Sequence, residues 1–260
     1  MDKRVRALWL GAVGIVGAML LWEVIARFGI ISEASLPPFT TVFGRLLGEL
    51  GKAATWGATL TTLLQAAASV VICTIVAVPL GILIGRVPAA DRYTRSTIDF
   101  LRAVPGVALV PLFLLFIGAT NEMVVLLASF VAFWPLLIQV TEGARSVEEQ
   151  TLDMARSFRL GARVRFFRVV LPATMPSVIT GLRLAVTVAL LVSIGAGLLS
   201  GAPGVGQLIS VANVNGDGLG VFAFAVWSGI LGIAVLSALR RLDSRILAWH
   251  YARTRMERTA

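Results

Sequence analysis

The chain has 260 residues, of which 57% are hydrophobic and only 14% charged. Its mean hydropathy of +0.88 is far above what a soluble core of this length needs. A net charge of +9 on so apolar a chain points to anionic lipid headgroups rather than nucleic acid. The lone cysteine, Cys73, excludes an intrachain disulfide.

A membrane-crossing helix needs about 20 apolar residues, because each rises about 1.5 Å through about 30 Å of hydrocarbon. Six stretches meet that measure: 7–30, 59–84, 103–120, 123–141, 178–199 and 219–239. The expected fold is therefore all-α, a six-span polytopic membrane protein with one transmembrane domain over 1–260. The first stretch follows a basic "MDKRVR" but is too long for a signal peptide. It carries "LLWEVIARFG" where a cleavage site would need small residues, so it reads as a retained span. Glu23, near its end beside Trp22, is the only acid placed within a span. In the second stretch Cys73 reads as a small buried hydrophobe. The third and fourth are short and joined by Asn121 and Glu122. Between the fourth and fifth lies the loop 142–172. The run "SIGAGLLSGAPG" places Gly195, Gly197 and Gly201 at the end of the fifth, where small residues favour close helix packing. His250, the only histidine, sits between Trp249 and Tyr251, which suits the headgroup zone.

Six crossings put both termini on one side. Of the 23 basic residues, all but Arg27, Arg45 and Lys52 fall on that side, which the positive-inside bias makes cytoplasmic.

What is missing narrows the function. No histidine lies at membrane depth for a metal site or a nucleophile–base pair, so neither catalytic residues nor a metal nor a cofactor are expected. "GELGKAAT" holds the only Gly-Lys pair and lacks the leading Gly and the Ser/Thr of a phosphate loop. Ion-driven carriers need ionisable groups inside the bilayer, and the spans are nearly empty of them. Energy must come from another subunit, the alternative being an ion-coupled carrier or channel without an ATPase partner.

The loop is where charge concentrates, with eight charged residues from Glu148 to Arg168. From Thr151 its pattern is helical, with Leu152, Ala155 and Phe158 recurring every three residues. Glu148, Glu149 and Asp153 load the first turns, where acids complement the helix dipole, and Arg156 and Arg159 follow. Gly161 is placed to end this helix. A second starts near Ala162 and carries Val164, Phe166, Phe167, Val169 and Val170, and Pro172 and Pro176 are expected to break it. A helix lying on anionic lipid would not lead with acids. This one suits a groove in a protein.

The same loop resembles the "EAA" loop of the membrane subunits of ATP-binding-cassette importers. Asp153-Met154-Ala155 takes the place of Glu-Ala-Ala, and Val170-Leu171-Pro172 closes the motif. The family's glycine falls on Arg159, so Gly161 is expected to supply the bend. "LLWEVIARFGII", "LPPFTTVFGRL", "LPATMPSVITGLRLA" and "PGVGQLI", in that order, resemble the nitrate/sulfonate/taurine-type branch. The resemblance implies a type-I importer fold and a docking helix made of Glu149, Leu152, Asp153, Met154, Ala155, Arg156, Ser157, Phe158, Arg159, Leu160 and Gly161. Its apolar edge, Leu152, Ala155 and Phe158, would enter a groove on the ATPase. The implied partners are two ATPase subunits, a second copy of the chain and an external solute-binding protein or lipoprotein, at a bacterial inner membrane. The translocation path is expected along Gln139, Ser193, Gly197 and Ser200. Gly197 stands where relatives often carry a Glu, which leaves the cargo open between a small anion and a heteroaromatic nutrient.

Overall fold

The computed structural model describes residues 3–28, 32 and 35–246, and among them every regular element is a helix. The centre is built from α3 (Ala53–Arg86), α6 (Asn121–Arg145) and α9 (Leu171–Ser200). The faces they share are made of small side chains: Ala77, Ala128, Ala132, Ala185 and Ala189 are all fully buried. Lipid offers no hydrophobic drive for helices to associate, so close approach and dispersion must hold them. The approach is tightest where Gly143 of α6 faces α9, because a Cβ there would overlap the side chain of Ser177. Leu64, Val71 and Ile75 of α3 are exposed, as residues facing hydrocarbon should be.

Among the described residues, five helical runs are long and apolar enough to cross a membrane, and six if one bent pair counts as a span. That pair corrects the expected third span, 103–120. In place of a continuous helix there are α4 (Pro88–Arg102), a 3-10 turn (Gly106–Leu109) and α5 (Val110–Ile117), with a bend of 79° between the two halves. Pro105 disfavours helical backbone at Val104 and itself offers no N–H. Gly106 then lies so close to α6 that a Cβ would come within 2.7 Å of Val131 Cγ2. The 3-10 turn and α5 together reach only about 20 Å, too short to cross alone.

Two further boundaries move. Asn121 and Glu122 form no connector but the first turn of α6, capped by Thr120, whose hydroxyl accepts from Met123 N. Pro172 and Pro176 do not interrupt the run into α9. Pro172 sits at the junction where the π-helical turn Phe166–Val170 passes into α9.

The two ends of the bundle are fixed by polar contacts. At one end Asp91 of α4 pairs with Arg145 of α6, and Arg86 Nη1 donates to Ala144 O at 3.2 Å. These contacts bring 86–102 and 142–172 to the same end, as the alternation of spans requires. At the opposite end Gln65 Nε2 donates to Asn121 Oδ1 and Pro203 O, both at 2.8 Å. Val205 N donates to Thr62 Oγ1 at 2.9 Å, and Trp227 Nε1 to Thr59 Oγ1 at 2.9 Å. These tie α3 to α10 (Val205–Val214) and α11 (Gly218–Ile246). Arg45 of α2 (Phe39–Leu50) reaches Asp217 at 2.7 Å. Glu23, the one acid expected in a span, works here too. It accepts from Thr40 N and Oγ1 at 3.0 and 2.9 Å and so pins α1 (Lys3–Arg27) to α2. The Trp249-His250-Tyr251 cluster and the arginines beyond residue 246 lie outside the described residues.

Candidate docking corner and groove

The expected docking helix is α7 (Glu149–Ser157). Its predicted apolar edge does not stay together. Leu152 and Ala155 are 3% and 5% exposed, whereas Phe158 is 74% and Met154 62% exposed. Steps of three residues on a 3.6-residue helix drift by about 60° each, so Phe158 ends about 120° from Leu152. Leu152 joins the central core with Val147 and Val170. The helix is thus held from behind by its own chain and presents Met154 and Phe158 outward. Asp153 and Arg156 pair at 2.7 Å on the exposed side. Glu149, Ser157, Leu160 and Gly161 are exposed as well.

The bend after α7 also differs from expectation. Arg159 N donates to Arg156 O at 2.8 Å and Leu160 N to Ala155 O at 3.1 Å, the paired bonds of a Schellman end. That end needs a left-handed residue, and Arg159 supplies it at φ 53°, the one non-glycine with positive φ among the described residues. Gly161 is extended, at φ −58° and ψ 153°, and leads into α8 (Ala162–Arg165). So Arg159, at the position of the family's glycine, makes the turn and bears its strain. Replacing Arg159 by Gly should raise the stability of the detergent-purified chain by about 1 kcal/mol. Gly161→Ala, with open space around it, should change little. A thermal midpoint that falls for Arg159→Gly would refute the assignment.

From α8 the chain passes through a π-helical turn, Phe166–Val170, directly into α9. The rings of Phe166 and Phe167 meet edge to face at 5.0 Å. The corner therefore joins the ends of α6 and α9, the two helices packed at Gly143.

The four residues expected along the path are scattered. Gln139 is half-buried with its side chain against Gly181. Ser193 is 2% exposed and its hydroxyl has no partner among the described residues. Gly197 packs against α10, where a Cβ would lie 3.3 Å from Gly206 Cα. Ser200 Oγ donates to Ala196 O at 2.7 Å and accepts from Ala202 N at 3.1 Å, shaping the turn that ends α9.

None of the four lines the cavities that run beside α6. The first, about 220 Å³, lies between α4 and α6 and holds Asp91, Arg95, Asp99, Arg102, Glu142 and Arg145. The second, about 500 Å³, adds Phe130, Val131, Trp134, Pro135 and Val188. The third, about 220 Å³, continues past Val131 and Val188 to Gly195 and Ala196. The first and second share Asp99, Arg102 and Ile138. Sequence reading missed this groove because it counted "FVAFWP" as span hydrocarbon.

Comparison with known proteins agrees with this architecture. A chain of the methionine ABC transporter MetNI, solved in an inward-facing conformation, aligns over 72% of this chain and 96% of its own. The TM-score is 0.57 at 14% identity, a likeness of fold. The putative aliphatic sulfonates transport permease protein SsuC of Bacillus subtilis is 30% identical over 88% of this chain and 83% of its own length. The bicarbonate transport system permease protein CmpB of Synechocystis is 31% identical over 75% of this chain and 73% of its own. Residues 77–248 match the description "binding-protein-dependent transport system inner membrane component". With that match over more than half its length, the chain belongs to the family of binding-protein-dependent inner-membrane transport components.

Proposed function

We propose that two copies of this chain form the membrane path of an ATP-driven importer and that each seats one ATPase subunit on α7. An external binding protein or lipoprotein delivers a small solute to the end that carries α2 and α10. Both termini and the segments 86–102 and 142–172 face the cytoplasm of a bacterial cell. The observation that carries this reading is Phe158, exposed at 74% on a helix fixed from behind by Leu152 and Ala155. The strained Arg159 holds that presentation in place, and such strain persists where the surroundings over-determine it. A nucleotide-driven movement of the ATPase would push on a rigid corner joined to both α6 and α9 and so shift two spans together. Glu23 is engaged by Thr40 and Arg27 and is not placed to carry protons across.

Co-expression with the candidate ATPase and purification through a tag on the permease should yield a complex with two copies of each. A permease that emerges alone at every salt concentration would sink the proposal. Orientation has its own test in a Cys73→Ser background. A membrane-impermeant thiol reagent on intact cells should label a cysteine placed at Lys52 and miss those placed at Arg145 and Arg255. Labelling at Arg145 in sealed cells would reverse the topology.

A further inference from the structure

The corner has a second face, and its charge is all of one sign. After Asp153 the sequence holds no acidic residue until Asp217, yet Arg163, Arg165 and Arg168 fall inside that stretch. Among the described residues none of these three arginines has an ion-pair partner. Exposure divides α8 and the π-helical turn into two sides. Phe166 and Val169 pack against the central core, and Val170 is buried in it. Arg163, Val164, Phe167 and Arg168 are exposed, and residues one and four positions apart share one side of a helical turn. The outer side therefore carries two apolar side chains flanked by two unpaired arginines.

The depth of that side follows from α9. Its 30 residues reach about 45 Å at about 1.5 Å each. That length matches a bilayer with both headgroup layers, about 40–45 Å, rather than the hydrocarbon alone. The π-helical turn enters α9 directly, so residues 163–168 lie at headgroup level. There Val164 and Phe167 can reach hydrocarbon while the arginines extend to phosphate oxygens, because a long cationic side chain holds its charge at the polar boundary. The exposed side of α7 is different: it begins with Glu149, and its Asp153 already pairs with Arg156. A protein groove would have to supply acids placed to match Arg163 and Arg168, whereas an anionic leaflet offers negative charge across its whole surface.

We propose that the outer side of residues 163–168 binds anionic phospholipid headgroups, with Val164 and Phe167 inserted beneath them. The corner then rests on the leaflet through α8 and offers α7 alone to a protein, an assignment that holds with or without an ATPase. The test places a nitroxide on Val164→Cys in a Cys73→Ser chain reconstituted in lipid vesicles. Its accessibility to oxygen, which concentrates in hydrocarbon, is compared with that to a neutral nickel chelate, which stays in water. In an equal mixture of phosphatidylcholine and phosphatidylglycerol, oxygen access should dominate. In phosphatidylcholine alone the label should rise toward water, and nickel access should grow severalfold. Arg163→Ala with Arg168→Ala should cause the same loss in the mixed vesicles, each arginine contributing about fivefold to the attraction. Arg163→Lys with Arg168→Lys keeps the charge and should keep the immersion. A label equally wet in both lipids, immersion indifferent to the alanine pair, or a lysine pair that behaves as alanine would overturn the proposal. So would a candidate ATPase that, once added, shields the label from both reagents, since the arginines would then face protein. Should the alanine pair fail to reconstitute, the comparison of the two lipids on the native arginines decides.

Discussion

Truncating Phe158 to Ala should cost the assembled transporter about 2 kcal/mol of ATPase association, roughly a thirtyfold loss of affinity, and should abolish uptake. The ring is 74% exposed in the chain alone, so its removal should leave insertion and thermal stability of the isolated permease unchanged. Leu152→Ala should give the opposite signature. That side chain is 3% exposed within the central core, and its loss should destabilise the permease itself by about 2–5 kcal/mol. Docking would then fail because α7 loses its seat. Arg165→Ala should do little, since a half-exposed charge contributes about 0–1 kcal/mol. A pull-down of the ATPase by each variant, with a thermal scan of each permease, separates the cases. Undiminished ATPase binding by Phe158→Ala would remove α7 from the docking surface. Greater damage from Arg-to-Glu changes in 156–168 would assign the loop to lipid.

How far the sequence could be read depended on what each feature is made of. The spans were legible because hydrocarbon thickness sets a length, and α3, α6, α9 and α11 each cover the stretch expected. The third span was not, because composition records that 103–120 is apolar and says nothing of Pro105 and Gly106 folding it over Val131. At the corner, the three-residue spacing placed Leu152 and Phe158 on one edge. A single short helix cannot reveal that its inner side is already taken by the central core that Leu152 joins. Arg159 was passed over for Gly161 because propensity favours glycine in the left-handed region. The hydrogen bonds of Arg159 and Leu160 back to α7 decided otherwise. The Trp134 groove was invisible for a similar reason. Its walls come from α4, α6 and α9 together, and the composition of single spans records none of that packing.

The packing of α6 on α9 gives the second large effect. Gly143→Ala should destabilise the chain by about 1–3 kcal/mol, because the new Cβ would occupy the space of Ser177 Cβ and Oγ. The next atom, Thr174 Cγ2, is at an ordinary 3.4 Å, so the conflict is confined to one partner and is open to rescue. Ser177→Ala removes the hydroxyl and leaves the Cβ, so it should restore only part of the loss. Ser177→Gly removes both and should restore more, even though glycine itself costs a helix about 1 kcal/mol. The expected coupling between positions 143 and 177 is therefore favourable and of order 1 kcal/mol or more, within the range seen for residues in contact. It is read as a thermal midpoint that rises from Gly143→Ala to the double variant by about 2–4 °C per kcal/mol. Because the corner joins these same two helices, the single variant should also lose uptake while still binding the ATPase. Additive midpoints, with no gain from Ser177→Gly in the Gly143→Ala background, would show that this contact does not set the spacing of α6 and α9.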